Sequence, residues 1–206
     1  MRRVGQNICL LVFSCGLLAA ETRFGLPVAN LETPKAFRSL ELTGNKFAVS
    51  QKSDLVVAAN VYGGPWRYYV DVALNNRSNH TIQLADDFVR FQKNGTAVAP
   101  TNTSTIVGEL AASLAHSKTV AARTDGPTPF GSAALLQRAQ ADQERKRAEE
   151  FVAHVKAFAH EAQPLTLAPG KMTMYTFVFS APDRERMDFS ICVWAGDEEF
   201  EFAYKK

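Results

Sequence analysis

The hydrophobic rhythm of this chain changes twice along its length, and that change limits the possible folds more than any other feature. Apolar residues alternate with polar ones from Asp54 to Phe91 and again from Leu165 to Tyr204, whereas between Thr103 and His160 they recur every three to four positions. A period of two belongs to a strand with one buried face, and a period near 3.6 to a helix with one buried stripe. Two groups of strands separated by one helical stretch predict a mainly β fold with a two-helix insertion at about 103–161.

Within the first strand group, Asp54 to Tyr62 and Trp66 to Asn75 flank Gly63-Gly64-Pro65, which supplies turn chemistry. In the second of these strands Val70, Val72 and Leu74 share one face, while Arg67, Tyr69, Asp71 and Ala73 share the other. This pattern predicts one face on the core and one nearer water. Ile82 with Leu84, and Val89 with Phe91, mark two short strands that end at Asn94-Gly95. In the second group, Leu165 and Leu167 stop at Pro169-Gly170. Thr173, Tyr175, Phe177 and Phe179 then alternate with Met172, Met174, Thr176 and Val178 up to Pro182. Phe189, Ile191 and Val193 follow, then a Gly196-Asp197 turn, then Phe200, Phe202 and Tyr204. Seven or eight such strands predict a two-sheet sandwich over 41–206, preceded by an extended lead-in at 21–40 that contains Pro27 and Pro34.

In the helical stretch, Ile106, Val107, Leu110, Ala111 and Leu114 form one stripe from about Thr103 to Ala121. Gly108, Ala111, Ala112 and Ala115 are small enough for a second helix to approach closely. Gly126, Pro127 and Pro129 break the run, and a second helix is expected from Ser132 to near His160. Ala148, Phe151, Val152, Val155, Phe158 and Ala159 line one side of its C-terminal half, while Gln137 to Arg147 is almost wholly polar. A continuous helix of that length spans on the order of 40 Å, which predicts that its polar half projects into solvent.

The first twenty residues read as a secretory signal peptide. Arg2 and Arg3 precede an apolar run from Ile8 to Ala20, which at about thirteen residues is too short to cross a bilayer as a helix. Cleavage after Ala20 competes with lipid attachment at Cys15, although Phe13 is bulky for a lipoprotein box. No transmembrane helix is expected in the processed chain. Removing the leader leaves the two charge signs equal at 21 each. Such a surface has no net field to attract nucleic acid, and no basic stripe appears locally. Cys192 then stands without a partner cysteine inside an apolar strand, where a buried, inert thiol is expected.

Three stretches carry a family resemblance: Tyr69-Val70-Asp71-Val72-Ala73-Leu74-Asn75-Asn76, then Leu167-Ala168-Pro169-Gly170, then Phe177-Val178-Phe179 closed by Pro182. The chain resembles here the telokin-like, immunoglobulin-type domains common in bacterial envelope proteins of unassigned function. The resemblance implies an immunoglobulin-like two-sheet sandwich that binds or assembles instead of catalysing. The helical insertion departs from that pattern.

Site chemistry is sparse. There is no Gly-x-Ser-x-Gly elbow, no His-Glu-x-x-His and no Cys-x-x-Cys, so neither a hydrolytic triad nor a zinc site of ordinary spacing is announced. No cofactor is expected. Of the four histidines, His116 can meet His154 or His160 only if the helices pair as a hairpin, which makes these three weak metal candidates. Met172 and Met174 share a strand face, as a thioether site for monovalent copper requires, and also as core filling does. Asn-x-Ser/Thr triplets begin at Asn76, Asn79, Asn94 and Asn102, and are glycan acceptors only in a eukaryotic secretory pathway. Two groups suit a protein partner: Tyr62, Trp66 and Tyr68 around the Gly-Gly-Pro turn, and Phe151, Val155 and Phe158 on the second helix. The expected function is an exported, non-catalytic interaction or assembly module whose partner is another envelope or secreted protein, or a second copy. The alternative is a carrier or sensor of a small ligand or metal held between the insertion and the sandwich.

Overall fold

The computed structural model describes residues 29–30, 38–42, 45–63, 67–93, 95–124, 132–160, 163–180 and 188–204. The leader with Cys15, most of the lead-in, and Trp66 lie outside these residues.

Alternation produced the strands it predicted. Strands β4 (Leu55–Gly63) and β5 (Arg67–Asn76) pair antiparallel from Leu55↔Asn76 to Gly63↔Tyr68. Strand β10 (Met172–Ser180) joins the other edge of β5, from Met172↔Asn75 to Ser180↔Arg67. With β2 (Arg38–Leu42) and β3 (Asn45–Lys52) the sheet runs β10-β5-β4-β3-β2, and β1 (Ala29–Asn30) also pairs with β4. A second sheet has the order β12 (Glu198–Tyr204), β11 (Phe189–Ala195), β7 (Val89–Lys93), β8 (Thr96–Val98). Strands β6 (Ile82–Leu84) and β9 (Leu165–Leu167) form a separate pair. All these ladders are antiparallel. The chain is therefore mainly β, with several antiparallel sheets.

The two larger sheets share one core. Val57, Val70, Val72 and Phe177 from the first meet Phe91, Ile191 and Phe202 from the second. Ring centroids of Phe88 and Phe177 are 5.3 Å apart, and those of Phe91 and Phe179 5.7 Å. Each fully buried phenylalanine contributes about 1.5–3 kcal/mol through area removed from water. Cys192 is 1% exposed, and burial pushes its thiol up to about 11. A water-soluble thiol reagent is expected to label the folded chain at least ~100-fold more slowly than the urea-denatured chain at about pH 8. Comparable rates would mean that β11 opens readily.

Strands β2 and β3 were not apparent in the sequence. Asn45–Lys52 carries only three consecutive apolar residues between polar flanks, too few to show a period. Pairing with β4 nevertheless buries Phe47 and Ala48.

The helical stretch forms α1 (Thr103–Thr124) and α2 (Ser132–Phe158), close to the expected bounds. Asn102 starts α1: its Oδ1 accepts from the amides of Ser104 at 2.9 Å and Thr105 at 3.3 Å. The helices lie on the face of β5 that alternation alone placed near water, and bury Tyr69 and Asp71, while Ala73 on the same face is buried beside Phe47 and Ala58. Alternation reports which residues share a face, not what covers it. Ile106 and Leu110 of α1 and Val155 of α2 pack there on Tyr69 and Val178, and the Tyr69 ring meets the Phe151 ring edge-on at 4.9 Å. Gly108, Ala111, Ala112 and Ala115 are exposed, and a Cβ added at Gly108 would meet nothing within 4 Å. The insertion is tied down at both roots: the Thr101 amide donates to Val178 O at 2.6 Å and the His160 amide to Thr176 O at 3.4 Å. These bonds cover the outer edge of β10, which would otherwise invite pairing with another chain. Among the described residues, no helix is long and apolar enough to cross a membrane.

Candidate functional site

The most chemically distinctive place in the molecule is a carboxylate buried under the insertion. Asp71 lies mid-way along β5, with Asn60 of β4 and Thr176 of β10 as cross-strand neighbours. The period of two puts Tyr62 on the same face of β4 as Asn60, and α2 brings His154 down from above. Asp71 is 0% exposed. Its Oδ1 accepts from the Thr176 hydroxyl at 2.7 Å. Its Oδ2 accepts from the Tyr62 hydroxyl at 2.7 Å and bonds His154 Nε2 at 3.0 Å. A buried carboxylate is tolerable only with such a set of donors.

The electrostatics follow from that arrangement. The hydrogen bond to Asp71 holds the His154 imidazolium above the ordinary 6.5, against a smaller opposing effect of burial. Burial, reinforced by the Asp71 charge, raises the Tyr62 phenol far above its usual range, so that hydroxyl remains a neutral donor. Arg67, on the same face, instead pairs with Glu109 of α1 at 2.5 Å. Asn60 is 2% exposed, and its Nδ2 reaches no hydrogen-bond partner among the described residues. Among those residues no serine or cysteine side chain bonds His154. In chemical terms the group is a polar clasp between sheet and helix. Its nearest sequence signal was Asp71 standing among apolar strand residues.

The residues singled out from the sequence are distributed as follows. Tyr62 and Tyr68 lie on opposite faces of the first sheet. Tyr62 joins the clasp, while Tyr68 packs against the shared core, stacked on Phe91 at 5.2 Å. The parity of the ladder requires this separation, because Tyr62 pairs with Tyr69 and not with Tyr68. Phe151 and Val155 pack on the sheet, and the Phe158 ring lies 5.0 Å from that of His154. The three candidate histidines part company. His116 is exposed on α1, His154 bonds Asp71, and His160 bonds the Asp86 carbonyl at 3.2 Å with its ring beside Phe177. Among the described residues no group of three or more His, Cys, Asp or Glu is placed to hold a metal. Met174 is half-buried against the small cluster of Phe47, Ala58 and Ala73, whereas Met172 is 65% exposed. Of the glycan triplets, Asn76 is fully buried, Asn79 and Asn102 are exposed, and Asn94 lies outside the described residues.

Depressions in the surface lie apart from the clasp residues. One of about 360 Å³ lies where the insertion leaves the sheet, between Asn102, Thr103 at the start of α1, His160 and Phe177. Another, about 420 Å³, lies among the turns carrying Ser53, His80 and Glu198.

No protein-family model matches the chain, and no curated protein matches its sequence. Among solved structures, the chain is similar to the yjhA protein from Bacillus subtilis, at 9% identity and a TM-score of 0.35, covering 70% of this chain and 76% of that one. It is also similar to a functionally unknown protein from Listeria monocytogenes EGD-e, at 10% identity and a TM-score of 0.35, covering 90% of this chain and 89% of that one.

Proposed function

We propose that this chain is an exported, non-catalytic interaction or assembly module: an immunoglobulin-like sandwich of the telokin-like type that carries a helical arm. One observation carries the reading. The contacts of helix α2 with the sheet among the described residues come from its C-terminal half, while every position from Arg138 to Gln143 is exposed and Leu136 is 65% exposed. A helix that is polar all round needs local ion pairs or a partner to persist. Here the Arg145–Asp142 pair at 3.2 Å supplies one of the former. The partner is another envelope or secreted protein, or a second copy of the chain. Export through the leader would place the arm where such a partner is available.

Protein recovered from its native source is expected to begin at Glu21. A photo-cross-linker at position 136 is expected to capture one discrete partner in the intact envelope. Leu136→Asp should abolish an association seen by sedimentation while moving the melting midpoint by less than about 2 °C, as an exposed substitution does. A monomeric chain with no cross-link from position 136 would reject the reading.

The 360 Å³ depression favours a second reading, a carrier of a small ligand between insertion and sheet. A stoichiometric small molecule or metal in the purified protein would support that reading.

A further inference from the structure

We propose that the helical insertion is a pH-responsive flap, closed on the outer face of the six-stranded sheet when His154 is protonated against Asp71 and loosened when that proton leaves.

The geometry puts a carboxyl group at the joint. Asp71 is entirely buried at the centre of the sheet, and among the described residues His154 is the one that α2 contributes to its oxygens. The other two donors, the hydroxyls of Tyr62 and Thr176, come from the sheet itself. They stay with the carboxylate whether the helix is docked or not. Docking therefore adds one partner to the anion, and that partner is the one that titrates near neutrality.

The neighbouring groups leave His154 in this role alone. From β4 comes Tyr62, which stays neutral at any working pH, and from β10 comes Thr176, which does not titrate. From α1 comes Glu109, engaged by Arg67 of β5. On α2 itself Glu150, one turn before His154, is exposed to water, and Phe158, one turn after it, is apolar. The apolar part of the joint is small beside the main core. It consists chiefly of Tyr69, Ile106, Leu110, Val155 and Val178. A change in one charged hydrogen bond therefore acts on a joint with fewer apolar contacts than the main core.

The direction follows from linkage. His154 holds its proton more tightly when docked than the ordinary 6.5 of a released imidazole. Its contribution to docking is therefore complete below 6.5 and is lost as pH rises through the higher docked value. Above that value the neutral ring still donates from Nε2, but the carboxylate no longer faces a cation. Loosening would uncover the apolar face around Tyr69 and Val178 and the outer edge of β10, which Thr101 and His160 otherwise cover.

Hydrogen exchange of the full exported chain, normalised for intrinsic rates, tests this between about pH 6 and about pH 9. Protection of 148–158 should fall severalfold across that range, while β11 and β12 keep theirs. In His154→Gln, which preserves a side-chain N–H donor but cannot titrate, the profile should be flat, and in His160→Gln it should match wild type. Wild-type protection that does not change with pH overturns the proposal, as does a His154→Gln profile like wild type or a flat His160→Gln profile. Should His154→Gln fail to fold, the NMR titration of His154 in the wild-type chain decides. A midpoint at or below the ordinary 6.5 overturns the proposal, and one above it supports it.

Discussion

Replacing Asp71 with alanine is expected to lower the unfolding free energy by about 3–5 kcal/mol, read as a lower urea midpoint at unchanged slope. The loss comes less from missing attraction than from what is left behind. Without the carboxylate, Thr176, itself 1% exposed, keeps a hydroxyl with no acceptor. Tyr62 and His154 lose theirs in a half-buried position. Each orphaned buried donor costs about 1–3 kcal/mol, and water reaches Tyr62 and His154 more easily than Thr176. The matching experiment removes the polar set together. Asp71→Val with Thr176→Val, Tyr62→Phe and His154→Leu should return to within about 1–2 kcal/mol of wild type, because an apolar cluster of similar volume has nothing to leave unsatisfied. A single Asp71→Ala substitution costing under about 1 kcal/mol would mean that water already satisfies these donors and that the joint is not dry. Recovery by the apolar variant would also separate two roles. The clasp would then serve orientation and pH response, and not net stability.

The legibility of the clasp was partial, for a physical reason. Alternation placed Asp71 and Tyr69 correctly on one face of β5, and helical spacing placed Phe151, Val155 and Phe158 correctly on one side of α2. What joins the two faces is a contact between Asp71 and His154, more than eighty positions apart in the chain. No local period carries such information. The same limit explains β2 and β3, whose short apolar run became readable only once β4 was beside it. Turn chemistry fared better because it is local. Gly196 turns β11 into β12 with a φ of 60°, and Gly170 turns the chain into β10 with a φ of 67°, both in the left-handed region where glycine is favoured. Small residues on α1 were the least reliable guide. Gly108 and Ala111 permit close packing but do not require it, and the residues of α1 that dock on the sheet are Ile106 and Leu110.

Asn76→Ala is the second substitution expected to have a large effect, about 3–4 kcal/mol by the same urea measurement. Asn76 ends β5 and is fully buried, where an amide must use both ends. Its Nδ2 donates to the carbonyls of His80 at 2.8 Å and Leu167 at 3.0 Å. Its Oδ1 accepts from the Ser78 amide at 3.0 Å and the Ser78 hydroxyl at 2.6 Å. Its backbone is bonded as well: the amide donates to Lys171 O at 3.0 Å, and the carbonyl accepts from Gly170 N at 2.7 Å. One residue thus joins the end of β5, the loop to β6 and the turn between β9 and β10. Two of the sequence stretches singled out earlier, Tyr69 to Asn76 and Leu167 to Gly170, meet at this point. Asn76→Asp should cost no less, since it would aim a carboxylate at two carbonyl oxygens in a buried turn. Asn75→Ala is the control. That residue is half-buried on the opposite face and should cost under about 1 kcal/mol. If the two alanine variants lose stability equally, strand propensity at the end of β5 accounts for both, and the bonding of the Asn76 amide holds nothing. If only Asn76→Ala falls, with hydrogen-exchange protection of β6 and β9 lost before that of β11, the amide is the joint between the two halves of the β structure.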